Sequence, residues 1–112
     1  MTDKILKGLP LTESTYHILL ALIDPLHGYG VMQKVELLSQ GAVHPGPGTL
    51  YGAFTTLEKQ GLIAMVAEEE RRKSYTLTPL GRQVLLAQIS RLEVMSARGS
   101  EAAGGLKSIG RK

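Results

Sequence analysis

Residues 46–63 read GPGTLYGAFTTLEKQGLI, and this stretch decides what the rest of the chain can be. Gly46 followed by Pro47 suits a helix N-cap and first turn, because proline needs no partner for its missing N–H there; Gly61 suits the stop. At helical spacing Leu50, Phe54 and Leu57 share one face, whereas Gly48, Gly52, Thr55 and Lys59 share the other. The first face predicts a core contact. The second is small, polar and almost without charge, which is unusual for a face turned only to water.

Downstream, LIAMVAEEE (62–70) and RRKSYTLT (71–78) change the period from helical to alternating, with Tyr75 and Leu77 two apart, and predict a short antiparallel hairpin turning near Glu69–Arg72. Thr78-Pro79 then opens a long helix through LGRQVLLAQISRLEVMSAR. Upstream, TESTYHILLALIDPLHG (12–28) predicts a helix over 13–24 with Thr12 as N-cap and Pro25 as terminator. VMQKVELLSQG (31–41) predicts a second helix, its inner face formed by Val31, Val35 and Leu38. His27-Gly28-Tyr29-Gly30 forms the tight approach to it, with Tyr29 packing inward. The segment 99–112, with four glycines and no periodicity, is expected to be a disordered basic tail, and 1–10 a flexible arm; 11–98 is then the one folded unit.

Three helices, a hairpin and a further helix are the order of a winged helix-turn-helix, mainly α with a small β-hairpin, extended by a C-terminal dimerisation helix. In that arrangement the third helix enters a major groove. Gly48 and Gly52 admit close approach of the helix backbone, and Thr49, Tyr51, Thr55 and Thr56 offer hydroxyls and methyl groups, with Lys59 at the far end. Arg71, Arg72 and Lys73, the only run of three basic residues, fall at the wing tip, where phosphate contact competes with simple pairing to Glu68–Glu70. Tyr51 lies on the flank between the two faces and reads equally as a half-buried core aromatic or a DNA contact.

Charge supports only a local reading. The chain of 112 residues has net charge +3, but Arg98, Lys107, Arg111 and Lys112 against Glu101 hold the excess, leaving nine basic and nine acidic residues in 1–97. With no cysteine there is no disulfide, thiolate site or cysteine nucleophile, and His17, His27 and His44 lack ligand spacing, so no metal or other cofactor is expected. No Ser-His-Asp, paired-carboxylate or nucleotide-loop pattern is visible, and the expectation is a protein without enzymatic chemistry. No apolar run approaches the ~20 residues of a membrane span, which predicts a cytoplasmic protein without a membrane partner.

The helix at 13–24 is apolar nearly all round, and the last helix carries its stripe where few elements of the same chain remain to cover it. A second copy is the economical partner, with Tyr16, Leu19, Leu20, Leu85, Ile89, Leu92 and Met95 as the expected interface.

The blocks HGYG (27–30), GTLY (48–51), LEKQGLI (57–63) and YTLTPLGR (75–82), in this order, resemble the PadR family of transcriptional regulators over roughly residues 11–97. The resemblance implies a dimeric winged helix, double-stranded DNA as partner, repression of transcription, and in some members release from DNA by a small-molecule effector. By position it places Thr49 and Tyr51 on the recognition helix and Arg72 and Lys73 on the wing. Ser74 departs from the aromatic residue often found there, and the C-terminal segment is shorter than the helical domain of longer members. An effector-gated sensor with a pocket near Tyr16, His17 and Met95 extends this reading. A winged-helix adaptor that contacts proteins and never DNA is the alternative.

Overall fold

The computed structural model describes residues 5 and 7–110. The order is α1 (Glu13–Ala21), β1 (Leu26–His27), α2 (Gly28–Leu38), α3 (Pro47–Lys59), β2 (Ile63–Glu69), β3 (Arg72–Leu77) and α4 (Pro79–Gly110). The three strands form an antiparallel sheet in the order β1-β3-β2. Leu19, Leu22, Val31, Val35, Leu50, Phe54, Leu57, Leu77 and Val84 close one core beneath it.

Local chemistry sets the boundaries. Thr12 caps α1 by accepting the Thr15 N–H at 3.1 Å, and the helix ends at Ala21, short of the expected residue 24, since Asp24 precedes a proline and is biased to extended backbone. α2 begins at Gly28, three residues before Val31, because His27 acts as its cap: Nδ1 accepts the Gly30 N–H at 3.2 Å. Its buried face is Gly28, Val31 and Val35. Tyr29 is therefore turned about 100° away from the core and stands 60% exposed, not packed inward as its sequence position had implied. Leu38, expected on the inner face, lies at the last turn and is exposed.

α3 starts and stops where Gly46-Pro47 and Gly61 place it. In the hairpin, Glu69 pairs with Arg72 and Ile63 with Leu77, with an irregularity between Met65 and Ala67. The two residues at the tip, Glu70 and Arg71, have φ of 50° and 70°, the left-handed pair that a two-residue hairpin turn of matching twist demands.

Thr78 joins the wing to α4. Its hydroxyl accepts the Gly81 N–H at 3.0 Å and donates to the Gly61 carbonyl, while its own N–H donates to the Leu62 carbonyl at 3.0 Å. Gly81 is buried here so closely that a Cβ would overlap the Leu62 carbonyl oxygen.

α4 corrects the expected tail. Residues 99–110 continue the helix instead of being disordered; extending an existing helix adds a hydrogen bond per residue fixed, and Ala102, Ala103, Leu106 and Lys107 favour it against the four glycines. Residues 111 and 112 lie outside the described residues, as do 1–4 and 6 of the expected flexible arm. The described part of that arm rests on the body: Leu9 and Leu11 pack against the core, and the Leu11 N–H donates to the buried Gln88 Oε1 at 2.9 Å.

Candidate nucleic-acid interface

The core face of α3 fixes where its other residues point. Leu50, Phe54 and Leu57 are buried, so Gly48, Thr49, Tyr51, Gly52, Thr55, Thr56 and Lys59 are all exposed. The space in front of Gly48 and Gly52 is open, with no heavy atom within 4 Å of an added Cβ.

These residues divide between two flanks. Tyr51 and Thr55 line a cleft of about 400 Å³ together with Arg71, Arg72 and Lys73 of the wing, and with His27, Gly28, Tyr29, Phe54 and Tyr75. Gly52 and Thr56 line the opposite groove, beside Lys7, Thr12 and Thr15. Lys59 stands further along that side with Lys7 and Gln60. Five of the ten residues expected to meet DNA thus share one concave surface, Gly52, Thr56 and Lys59 line the grooves on the other side, and Gly48 and Thr49 stand exposed on the first turn of α3.

The threonines are less free than their sequence implies. The Thr55 hydroxyl donates to the Tyr51 carbonyl at 3.0 Å and that of Thr56 to the Gly52 carbonyl at 3.2 Å. Such back-bonding to residue i−4 spends the hydroxyl proton and pins the rotamer. Each side chain then presents a methyl group and acceptor lone pairs, chemistry that suits a thymine methyl or an adenine or cytosine amino group.

The wing cations are exposed. Among the described residues, the ion pairs within 4.0 Å are His44–Glu36 and Arg98–Glu101; none ties Arg71, Arg72 or Lys73 to Glu68–Glu70. Pairing at the turn therefore leaves these three cations unengaged.

Aromatic contacts carry the cleft floor. Tyr51 meets Phe54 edge-on with centroids 6.1 Å apart, and Phe54 meets Tyr75 at 4.8 Å. Burial, and then the nearby Glu58, Tyr51 and Glu68, push the Tyr75 phenol above its ordinary value. Tyr51 is 52% exposed: one edge packs on Phe54 and the other faces the cleft. Sequence reasoning missed Tyr29, His27 and Tyr75 as cleft residues. The signal for Tyr29 was available, since Gly28, Val31 and Val35 fall at i, i+3 and i+7 and leave residue 29 outside that face.

The expected dimer interface needs correction at two positions. Leu19 and Leu85 are buried within the single chain and belong to its core, because α1 and α4 pack on each other there. Tyr16, Ile89 and Leu92 line a shallow groove with Glu93, Ser96 and Ala97. Leu20 is half-buried against the core. Met95, 53% exposed, lines a different groove with Ser90, Arg91 and Val94, so Tyr16 and Met95 do not enclose one pocket. His17 is held by its own helix, Nδ1 standing 2.8 Å from the Glu13 carbonyl oxygen.

Two packed helices, the second capped by His27, a third helix whose outer face is almost without charge, and a two-stranded wing bearing exposed cations define a winged helix-turn-helix. Residues 18–87 match the PadR-like family of transcriptional regulators, and the chain belongs to that family. It is 35% identical over 75 residues to the transcriptional regulator YqjI of Escherichia coli K12, a match covering 67% of this chain and 36% of that protein. It is 38% identical over 87 residues to a 37.1 kDa protein of transposon TN4556 from Streptomyces fradiae, covering 77% and 25% respectively. The chain thus spans about a quarter to a third of the length of these curated relatives. A transcriptional regulator from Clostridium thermocellum has a similar structure, with TM-score 0.64 and 25% identity over 88% of this chain and 96% of that one. A PadR family regulator from Clostridium difficile shares the fold, with TM-score 0.70 and 19% identity over 82% of this chain and 99% of that one. No helix among the described residues is long and apolar enough to cross a membrane.

Proposed function

We propose that this transcriptional regulator acts by binding double-stranded DNA as a homodimer, with α3 in the major groove and the wing on the neighbouring backbone, and that it represses by occupying a pseudo-palindromic operator. The observation that carries the reading is the shared cleft: Tyr51 and Thr55 of α3 open onto the same surface as Arg71, Arg72 and Lys73, which no carboxylate among the described residues approaches within 4.0 Å. A groove-reading helix needs that combination, because cations on backbone phosphates supply affinity while short side chains on base edges supply sequence.

The dimer rests on α4. At 1.5 Å per residue its 32 residues extend about 48 Å, yet its buried residues Val84, Leu85 and Gln88 all fall in the first third. Beyond them Val94, Met95 and Leu106 are exposed. A second copy lying along this helix, seated on the groove at Tyr16, Ile89 and Leu92, would cover that length and set two recognition helices on half-sites ~34 Å apart. The groove then serves subunit contact, and effector gating would act by changing how the two copies sit.

Selection of random duplex DNA by the full chain at near-physiological salt, followed by titration of the winning sequence, tests the proposal. Enrichment of an inverted repeat with half-sites one turn apart is the expected result. Loss of selectivity together with salt-independent, negligible DNA affinity would favour the protein-contact adaptor.

A further inference from the structure

Gly28 has no side chain where one would collide with Tyr51. A Cβ at this position would stand 2.6 Å from the Tyr51 hydroxyl oxygen and 2.9 Å from both Cε1 and Cζ. These are shorter than side-chain contacts tolerate, so the Tyr51 ring lies directly on the Gly28 backbone. The φ of Gly28 is not among the positive ones, which leaves contact, not backbone freedom, as the reason for glycine there. Tyr51 in turn meets Phe54 edge-on, and Phe54 meets Tyr75. One line of contacts therefore runs from the first turn of α2, across α3, to the root of the wing strand β3.

We propose that Gly28 is a positioning residue for sequence reading: it seats the Tyr51 ring, and so sets where that side chain stands in the cleft between α3 and the wing. This rests on the DNA-binding reading and adds to it the residue that governs specificity. The reasoning turns on reach. Arg71, Arg72 and Lys73 are long and exposed, and follow a phosphate through small errors of orientation. Thr55 and Thr56 are short, and their hydroxyls are committed to the helix backbone, so they have no slack; groups of this kind must be held within about 0.5 Å of the productive position. The Tyr51 ring, beside Thr55 in the same cleft, is under the same limit, so displacing it from Gly28 removes base reading there while phosphate contact survives.

The substitution Gly28→Ala is compatible with folding, because the Tyr51 ring can swing into the open cleft in front of it. Operator and unrelated-duplex affinities are measured for the full-length wild type, Gly28→Ala, Tyr51→Ala and the double variant, alongside Tyr51 ring-proton shifts in the DNA-free protein. The expected result is that Gly28→Ala lowers the ratio of operator to unrelated-DNA affinity by about ten-fold in the wild-type background and by less than about two-fold when residue 51 is already Ala. In the DNA-free protein the Tyr51 ring shifts move. Equal losses in both backgrounds, or a parallel fall in operator and unrelated-DNA affinity, overturn the role in specificity, and an unmoved Tyr51 ring overturns the seat itself. A wild-type chain with no operator preference would instead refute the DNA-binding reading, and the ring shifts would still judge the seat.

Discussion

Arg71 sits at the wing tip with φ of 70°, a conformation that costs a non-glycine residue about 1–2 kcal/mol. Replacing it by glycine removes that strain but adds chain entropy to the unfolded state, worth about 0.5–1 kcal/mol in the opposite sense. The difference favours Arg71→Gly by roughly 0.5–1 kcal/mol, which for a domain of this size raises the melting temperature by about 2–8 °C. Arg71→Ala is the matched control, since alanine keeps the strain and loses the same cation. Both variants should flatten the dependence of log affinity on log salt by about 0.9 per protomer, the signature of one lost phosphate contact. Thermal melting by circular dichroism and DNA titration between 50 and 200 mM salt, a range across which phosphate contacts weaken measurably, supply the two readings. Equal binding loss with higher stability only in the glycine variant is the expected pattern. A glycine variant that melts at or below the alanine variant would refute the strain argument, and wild-type salt dependence in both would remove Arg71 from the interface.

Gly81→Ala should destabilise by about 1–3 kcal/mol, because the added methyl has the Leu62 backbone and not a flexible side chain to displace; an unchanged denaturant midpoint would contradict the close packing. Tyr75 is raised above its ordinary value of 10.0 in the folded protein, so its contribution is intact below pH 10 and is lost as pH rises through the folded value; Tyr75→Phe should flatten that alkaline fall in stability, measured by melting across the range. Met95→Asp should convert a two-chain mass at micromolar concentration into a one-chain mass by analytical ultracentrifugation, and a monomeric wild type would refute the α4 interface. If Arg71, Arg72 and Lys73 carry the phosphate contacts of both protomers, the operator salt slope should be about −5, and a slope twice as steep would assign contacts to the α4 extension as well.

The parts of this fold that were legible in the sequence are those written by local chemistry. Gly46-Pro47, Gly61 and Thr78-Pro79 mark helix ends whatever the rest of the chain does, and the turn at Glu69–Arg72 follows from a change of period on either side. β1 was not legible because Leu26 and His27 become a strand only by pairing with Tyr75 and Ser74, a long-range fact with no periodic trace in two residues. The length of α4 was misread for a related reason: glycine content lowers helix propensity, but propagation from an existing helix does not require each added turn to be favourable alone. At the site, the exposed outer face of α3 and the cationic turn of the hairpin followed from order and charge. What did not follow was the internal hydrogen bonding of Thr55 and Thr56, or the seat of Tyr51 on Gly28, because both depend on side-chain direction within a formed helix.

The distribution of charge now has a structural meaning. The excess of basic residues lies in 98–112, on the outer length of α4 where described, and Arg98 there is drawn to Glu101 at 3.6 Å. The surface proposed to read DNA holds few cations, and one of them, Arg71, occupies a left-handed turn position that glycine or asparagine would fill at less cost. Affinity would then come from a small set of long cations tolerant of misplacement, and sequence preference from short threonines that tolerate none. The packed connection between α3 and the wing, Phe54 against Tyr75, would make such a division workable, because it would let the wing's grip on a phosphate fix where the threonines fall in the groove.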